Sequence, residues 1–348
     1  MHRKKNTLFI CLPIFTLILL IPLSGVADSI PQILEILDLG GITQSPPLVD
    51  GNILYTGTMD SQGLAFDLSN GKKVWSKGFK SAVTTTPTKF NSLVILVTDI
   101  GDGRIYALNS QDLKKVWSKK LYGGNSTPLV LDQSLIIPQD ERIICLDGAS
   151  GAKEWEVKLG SAIKSCGVIA EGEIFLGGDD GTLYILESTG EILEQIEMGS
   201  ALLSDLSCAD GILAVGDYSG TVHIMQVSDN RILWEHKLPA PILSKAIFYK
   251  DLIICNSLDG TWQGLNSGNG DLIWEYKCPA LVRGNWSIWN DYLVFGADDG
   301  FLYALEPRTG LFCWKLDMHS RALWGCSVNH DRIYIPTAEK QIVILGYL

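Results

Sequence analysis

The chain has 348 residues, 46% hydrophobic and only 19% charged, enough apolar material for a large core and too little charge for a disordered polyelectrolyte. Its formal net charge is −11, so it repels phosphate backbones, which excludes nucleic acid as a partner.

The first element in chain order is a targeting segment. His2, Arg3, Lys4 and Lys5 are basic, Leu8 to Val26 are mostly apolar, and small residues lead up to Ala27. That order is the pattern of a secretory signal peptide over residues 1–27. The alternative is an uncleaved anchor over residues 8–26, since about 20 apolar residues span a bilayer. Pro13 and Pro22 count against a rigid spanning helix. On either reading, residues 28–348 form one exported domain, periplasmic or extracellular, that meets a membrane only through this segment. The stretch "IPQILEILDLGG", Ile30 to Gly41, then reads as a lone strand.

From there the chain repeats. Aligned on the turn before each "xLYAL"-like run, the anchors are Gly63, Gly103, Glu141, Gly181, Gly220, Gly260, Gly300 and Lys340, with gaps of 38 to 40 residues. Each of the eight units holds four short strands joined by turns such as Asp210-Gly211 and Asn290-Asp291. The two inner strands are apolar at almost every position, as in "YLVFG" and "FLYAL", which requires a sheet covered on both faces. Units of this kind stacked around an axis make an all-β, eight-bladed β-propeller. The last unit stops after its third strand. Ile30 to Gly41 supplies the missing outer strand, so the eighth blade is shared between the two ends and no open sheet edge remains.

Trp75, Trp117, Trp155, Trp234, Trp274 and Trp314 share one place in the outer strands, with Glu194 in the fourth copy. Gly71, Gly151, Gly270 and Gly310 stand four residues before a tryptophan, and Ala65, Ala107 and Ala304 recur in the third strand. The indoles are expected to dock neighbouring blades by filling space that small residues leave open.

The run Asp298 to Trp314, "DDGFLYALEPRTGLFCW", carries D-G-x-L-Y-A-L-x4-G-x3-W most completely. It resembles the pyrroloquinoline-quinone-type (PQQ-like) propeller repeat, and the resemblance extends over Ile33 to Leu348. Two groups share such repeats: quinoprotein alcohol and glucose dehydrogenases, and a non-catalytic group typified by BamB, the periplasmic propeller of the outer-membrane β-barrel assembly machinery. Length, short loops and the export signal resemble the second group, which implies a scaffold that binds another protein of the envelope. Cys11 lies too early in its apolar run for a lipoprotein cleavage site, a departure from that group. A quinone-dependent dehydrogenase is the enzymatic alternative, and a carbohydrate-binding surface propeller is a third.

Chemistry-bearing motifs are sparse, and no cofactor, metal or catalytic residue is assigned. The seven cysteines after the signal, an odd number without C-x-x-C or adjacent pairs, read as small buried hydrophobes. The acidic turns at Asp99, Asp102, Asp179 and Asp180 offer two carboxylates each, short of the six to eight oxygens of a calcium site, and suit tight hairpins instead. None of the five histidines stands in a paired metal motif.

The best candidate site comes from the repeat alignment. First strands line a propeller's channel, and the column near their start reads Ser45, Thr86, Thr127, Cys166, Asp205, Lys245, Asn285 and Gly325. One arc is small and hydroxylic. The other carries Asp205, Lys245, Arg283, Asn285, Trp286, Arg321 and Trp324, cations and broad rings of the kind found at binding hot spots. Two readings stand: a water-filled channel with solvated polar walls, or a solvent-filled mouth that contacts an acidic peptide segment or another anionic partner, in a protein that is itself monomeric.

Overall fold

The computed structural model describes residues 30–347 apart from 100, 102, 122–125, 285 and 323, so the targeting segment lies outside the described residues. Among the described residues, eight antiparallel sheets of four strands follow one another along the chain. Blade 1 is Leu48–Asp50, Ile53–Gly57, Gln62–Asp67 and Lys72–Gly78, and blade 7 is Ser287–Trp289, Tyr292–Gly296, Phe301–Leu305 and Phe312–Asp317. The one helical element among the described residues is a 3₁₀ turn, Val227–Asp229. No described helix is long and apolar enough to cross a membrane.

Blade 8 closes as expected. Its first three strands, Ser327–Asn329, Arg332–Pro336 and Gln341–Gly346, are completed by Gln32–Asp38 from the other end of the chain. The register runs from Gln32↔Gly346 to Asp38↔Gln341, with one bulge between Ile33 and Glu35. The first strands of blades 1 and 8 then lie against each other, which completes the ring.

The core sits between blades rather than within them. Each of eight buried clusters is shared by two consecutive blades; one, for example, joins Ile254, Trp262 and Trp274 of blade 6 to Phe295, Tyr303 and Leu305 of blade 7. That explains the unbroken apolar runs: both faces of a second or third strand meet a neighbour. The turns Asp210-Gly211 and Asn290-Asp291 hold φ of 50° and 75°, and 47° and 61°, the left-handed pair that a tight hairpin needs.

One anchor of the alignment is corrected. Gly63 lies inside the third strand of blade 1, Gln62–Asp67, and the turn residue directly before that strand is Ser61, with φ of 61°. Ser61 takes there the backbone conformation that glycine usually supplies, so residue identity alone misplaced the anchor in that blade.

The tryptophans dock blades, but their seat lies in the next blade. The indole N–H groups of Trp117, Trp155, Trp234 and Trp274 donate to the carbonyls of Gly148, Ser188, Ser267 and Pro307, at 2.9 to 3.1 Å, each in the following blade's third-to-outer turn. Under each ring lies a glycine of that same turn. A Cβ at Gly151, Gly190, Gly270 or Gly310 would come within 2.3 to 2.7 Å of the indole. Ala65, Ala107 and Ala304 face Trp75, Trp117 and Trp314 across their own blades. Trp274 and Trp314 are buried, whereas the other four are half-buried.

Candidate functional site

The loops that enter the first strands are tied to the turns between second and third strands. Asp179 N–H donates to the Ala162 carbonyl, Asp298 N–H to Leu281 and Ala338 N–H to Arg321, at 2.9 to 3.0 Å. These loops therefore share one face with the Asp-Gly turns, and that face surrounds the mouth of the channel.

A cavity of about 280 Å³ occupies the channel. Thr86, Thr127, Cys166, Asp205 and Lys245 line it, as the column of first-strand residues implied. In blades 1 and 8 the lining lies one or two positions beyond the column, at Pro46, Cys326 and Ser327, and blade 7 contributes Trp286 and Ser287. Asp205 accepts the Cys166 backbone N–H at 2.7 Å, which bridges blades 4 and 5. Burial pushes the Cys166 thiol up to about 12; the Asp205 carboxylate adds to that and the Lys245 ammonium opposes it. Burial likewise pushes Cys326 up to about 11. Both thiols are thus poor nucleophiles near neutral pH. No disulfide joins the described cysteines.

The arc proposed from sequence is only partly gathered. Asp205, Lys245 and Trp286 border the same cavity, but Trp286 is not a solvent-facing ring: it is 1% exposed and packs edge-on against Trp262, ring centroids 4.8 Å apart. The repeat alignment could not show this, because Trp262 replaces the aliphatic residue of the third strand only in blade 6. Arg283 is exposed, yet its guanidinium meets Asp298 at 2.9 Å, so its charge is partly neutralised at the mouth. Lys164 and Asp179 form the corresponding pair in blade 4. Arg321 is exposed and Trp324 half-buried, outside the cavity lining, while Asn285 lies outside the described residues.

In two of the Asp-Gly turns the aspartate is engaged within its own blade. Asp180 accepts the Thr182 N–H at 3.0 Å and the Tyr184 hydroxyl at 3.0 Å; Asp299 accepts the Phe301 N–H and, at 2.6 Å, the Tyr303 hydroxyl. Hydrogen bonding of this kind caps a turn. Asp99 is described and Asp102 is not.

One buried cluster was not foreseen. His223, 4% exposed, points Nδ1 at Glu235 Oε1 (2.6 Å) and Nε2 at Asp217 Oδ2 (3.3 Å). Asp217 also accepts the Ser219 hydroxyl and the Thr221 N–H, both at 2.8 Å. Burial alone would raise the Asp217 carboxyl, but these bonds and the His223 ring hold it below the usual range. The two carboxylates stand on opposite edges of the imidazole, so they clamp the ring and do not converge on one point. In sequence His223 occupies the place of the tyrosine in "LYAL", and that substitution was the available signal.

A family model described as outer membrane protein assembly factor BamB, of PQQ-type repeats, matches residues 32–162, 139–222 and 179–323. No curated protein sequence matches the chain. Among solved structures, BamB from Moraxella catarrhalis superposes with a TM-score of 0.79 at 18% identity, covering 91% of this chain and all of that one. The computationally designed protein Ika8 gives 0.76 at 17% identity, over 89% of this chain and 99% of its own. Quinohemoprotein alcohol dehydrogenase from Comamonas testosteroni gives 0.75 at 11% identity, over 91% of this chain and 76% of that enzyme. At these identities the three likenesses establish the fold.

Proposed function

The chain belongs to the family of outer membrane protein assembly factor BamB, with its PQQ-like propeller repeats, and on that premise we propose that it is an exported, non-catalytic scaffold that binds another protein of the envelope. The observation that carries this reading is the channel. Its 280 Å³ falls just below the range of roughly 300–1,000 Å³ typical of ligand sites. The lining supplies one carboxylate, Asp205, already engaged by a backbone N–H. Calcium needs six to eight oxygen ligands. The described lining therefore does not fit a quinone with its calcium, and no redox step is derived for this site. A rigid ring with short loops is instead suited to presenting a fixed surface.

The partner surface we assign is the rim of the channel mouth around Arg321 and Trp324, where an exposed guanidinium stands near a half-buried ring. The test is capture from an envelope extract by the immobilised full chain, with and without Arg321→Ala and Trp324→Ala together. The double variant should melt like the parent and retain at most a tenth of the captured partner. Undiminished capture by the folded variant rejects this rim. A quinone-type absorbance band, appearing when the pure protein is mixed with pyrroloquinoline quinone and calcium, would reject the scaffold reading itself.

A further inference from the structure

A second cavity lies away from the channel, at the seam where the ring closes. It is a cleft of about 740 Å³, bounded by Asn329, His330, Arg332 and Tyr334 of blade 8 and by Asn52 and Ser69 in turns of blade 1. That volume falls well within the range of ligand sites.

The seam explains the opening. Between blades 6 and 7, Trp274 covers Gly310 and donates to the Pro307 carbonyl. In blade 8 the residue over the equivalent glycine is Glu35: a Cβ at Gly71 would lie 1.7 Å from its Oε1. A carboxylate fills less volume than an indole and has no N–H to donate. Leu68, which stands three residues before Gly71 as Pro307 stands before Gly310, borders the cleft.

The chemistry of the walls is specific. Arg332 is half-buried and forms no ion pair among the described residues, not even with the exposed Asp331 that also borders the cleft, although acidic residues outnumber basic ones 39 to 28. The His330 ring shares a hydrogen bond with the Asn329 side-chain oxygen, which fixes its Nδ1 as the donor and leaves Nε2 at the far edge of the ring. Asn52 is exposed at the opposite wall. A guanidinium with amide donors around it is the arrangement that recognises planar or tetrahedral oxygen anions, because its N–H groups form a fixed fork.

We propose that the closure cleft binds an oxyanion, a carboxylate or a phosphate, on the guanidinium of Arg332, with the Asn52 and Asn329 amides as further donors. A chain-terminal carboxylate of a polypeptide is the source that follows from the scaffold reading, and only this choice of source rests on it.

Calorimetric titration of the full chain tests the proposal with three probes: inorganic phosphate, a tripeptide with a free C-terminus, and the same tripeptide amidated. Phosphate or the free acid should bind at least tenfold tighter than the amide. Arg332→Gln should weaken that binding tenfold or more, and Arg332→Lys, which keeps charge without the fork, should fall between. Binding of the free acid supports the polypeptide source. Binding of phosphate alone supports the oxyanion site and removes that source. Equal affinity for acid and amide, no binding of either anion, or affinity untouched by Arg332→Gln overturns the proposal. Should Arg332→Gln fail to fold, Asn52→Ala in its exposed turn carries the test, with a threefold loss expected and no change refuting it. Envelope capture is scored separately on the Arg321 and Trp324 variant, so failure of the scaffold reading and failure of the cleft are told apart.

Discussion

Compare the seam between blades 6 and 7 with the seam between blades 8 and 1. In the first, the indole of Trp274 lies on Gly310 and hydrogen-bonds Pro307, and the indole N–H, the ring face and the glycine surface are all used. In the second, Glu35 sits over Gly71 beside an open cleft. The difference follows the covalent chain. Blades 6 and 7 are complete local units, so their seam repeats. Blade 8 has its outer strand from Gln32–Asp38 and no turn between its third and outer strands, so the preceding tryptophan, Trp314, finds no carbonyl for its N–H among the described residues. Closure buries the apolar faces of the last blade, but it gives up the indole lock on both of its sides. Two kinds of force therefore hold the ring: apolar burial at every seam, and an aromatic lock only where the chain is locally continuous.

The sharpest break of this comparison is to remove the closing strand. Deleting Ile30 to Gly41 leaves the third strand of blade 8, Gln341–Gly346, unpaired along one edge and uncovers Tyr334 and Ile344, which now pack with Leu37 and Leu39. Unpaired edges recruit other chains. The truncated protein should be recovered mainly as aggregate, by size-exclusion chromatography, and its soluble part should lack the parent's cooperative thermal transition. A monomeric truncation that melts like the parent would show that closure contributes little.

Next in size is the lock itself. Trp274→Ala should cost about 3–5 kcal/mol in urea denaturation, the usual loss for truncating a buried large aromatic. Trp155→Ala, with the same hydrogen bond but a half-buried ring, should cost about 2 kcal/mol, in proportion to the apolar area removed. Equal losses at the two sites would mean that the hydrogen bond, and not ring burial, sets the strength of a seam.

How much of this was legible in the sequence follows the same division. The period, the four strands per unit and the shared eighth blade were readable because they rest on hydrophobic pattern and turn chemistry, which are local. The tryptophan and glycine columns were both visible, but their partnership was not, because each ring seats on a glycine some 35 residues downstream and only folding brings the two together. The channel column meets the cavity lining in blades 2 to 6, whereas blades 1 and 8 present the next residues, Pro46 and Cys326. Trp286 borders the cavity, but its burial was not legible because it depends on Trp262, a substitution peculiar to blade 6. The closure cleft left no motif at all, since its two walls come from opposite ends of the chain.

A pH experiment separates the aromatic lock from polar turns that also hold blades in shape. Burial alone would raise the Asp259 carboxyl, but the Lys277 ammonium, the Ser257 hydroxyl and the Thr261 N–H and hydroxyl bring it down to about 2. An unfolded aspartate titrates near 3.9. The folded value is the lower one, so its contribution is fully present above about pH 4 and is lost as the pH falls towards 2. Asp217 shifts in the same direction. Melting temperatures between pH 5 and 2 should therefore fall less steeply in Asp259→Asn than in the parent. The penalty of Trp274→Ala, which involves no titrating group, should be the same at both ends of that range; a penalty that changes with pH would mean the seam and the acidic turns are coupled.

The smallest predicted effect is the most informative about the lock. Between blades 4 and 5 the tryptophan is replaced by Glu194 and the receiving glycine by Asn230, whose side-chain amide donates to Glu194 Oε2 at 2.9 Å. Asn230 already has φ of 54°, the conformation glycine adopts without strain. The backbone is thus preset for an indole seat, and only the two side chains differ. Asn230→Gly alone removes an exposed hydrogen bond, at a cost of about 0.5–1 kcal/mol. Glu194→Trp alone brings an indole against the Asn230 side chain and should also destabilise. Combined, the two substitutions recreate the pairing of Trp234 with Gly270 and should be more stable than the sum of the single changes by about 1–2 kcal/mol, within the range seen for residues in contact. Urea denaturation of all four proteins measures that coupling. A coupling of zero would mean that tryptophan and glycine do not form a transferable lock, and that the other seams owe their order to apolar burial alone.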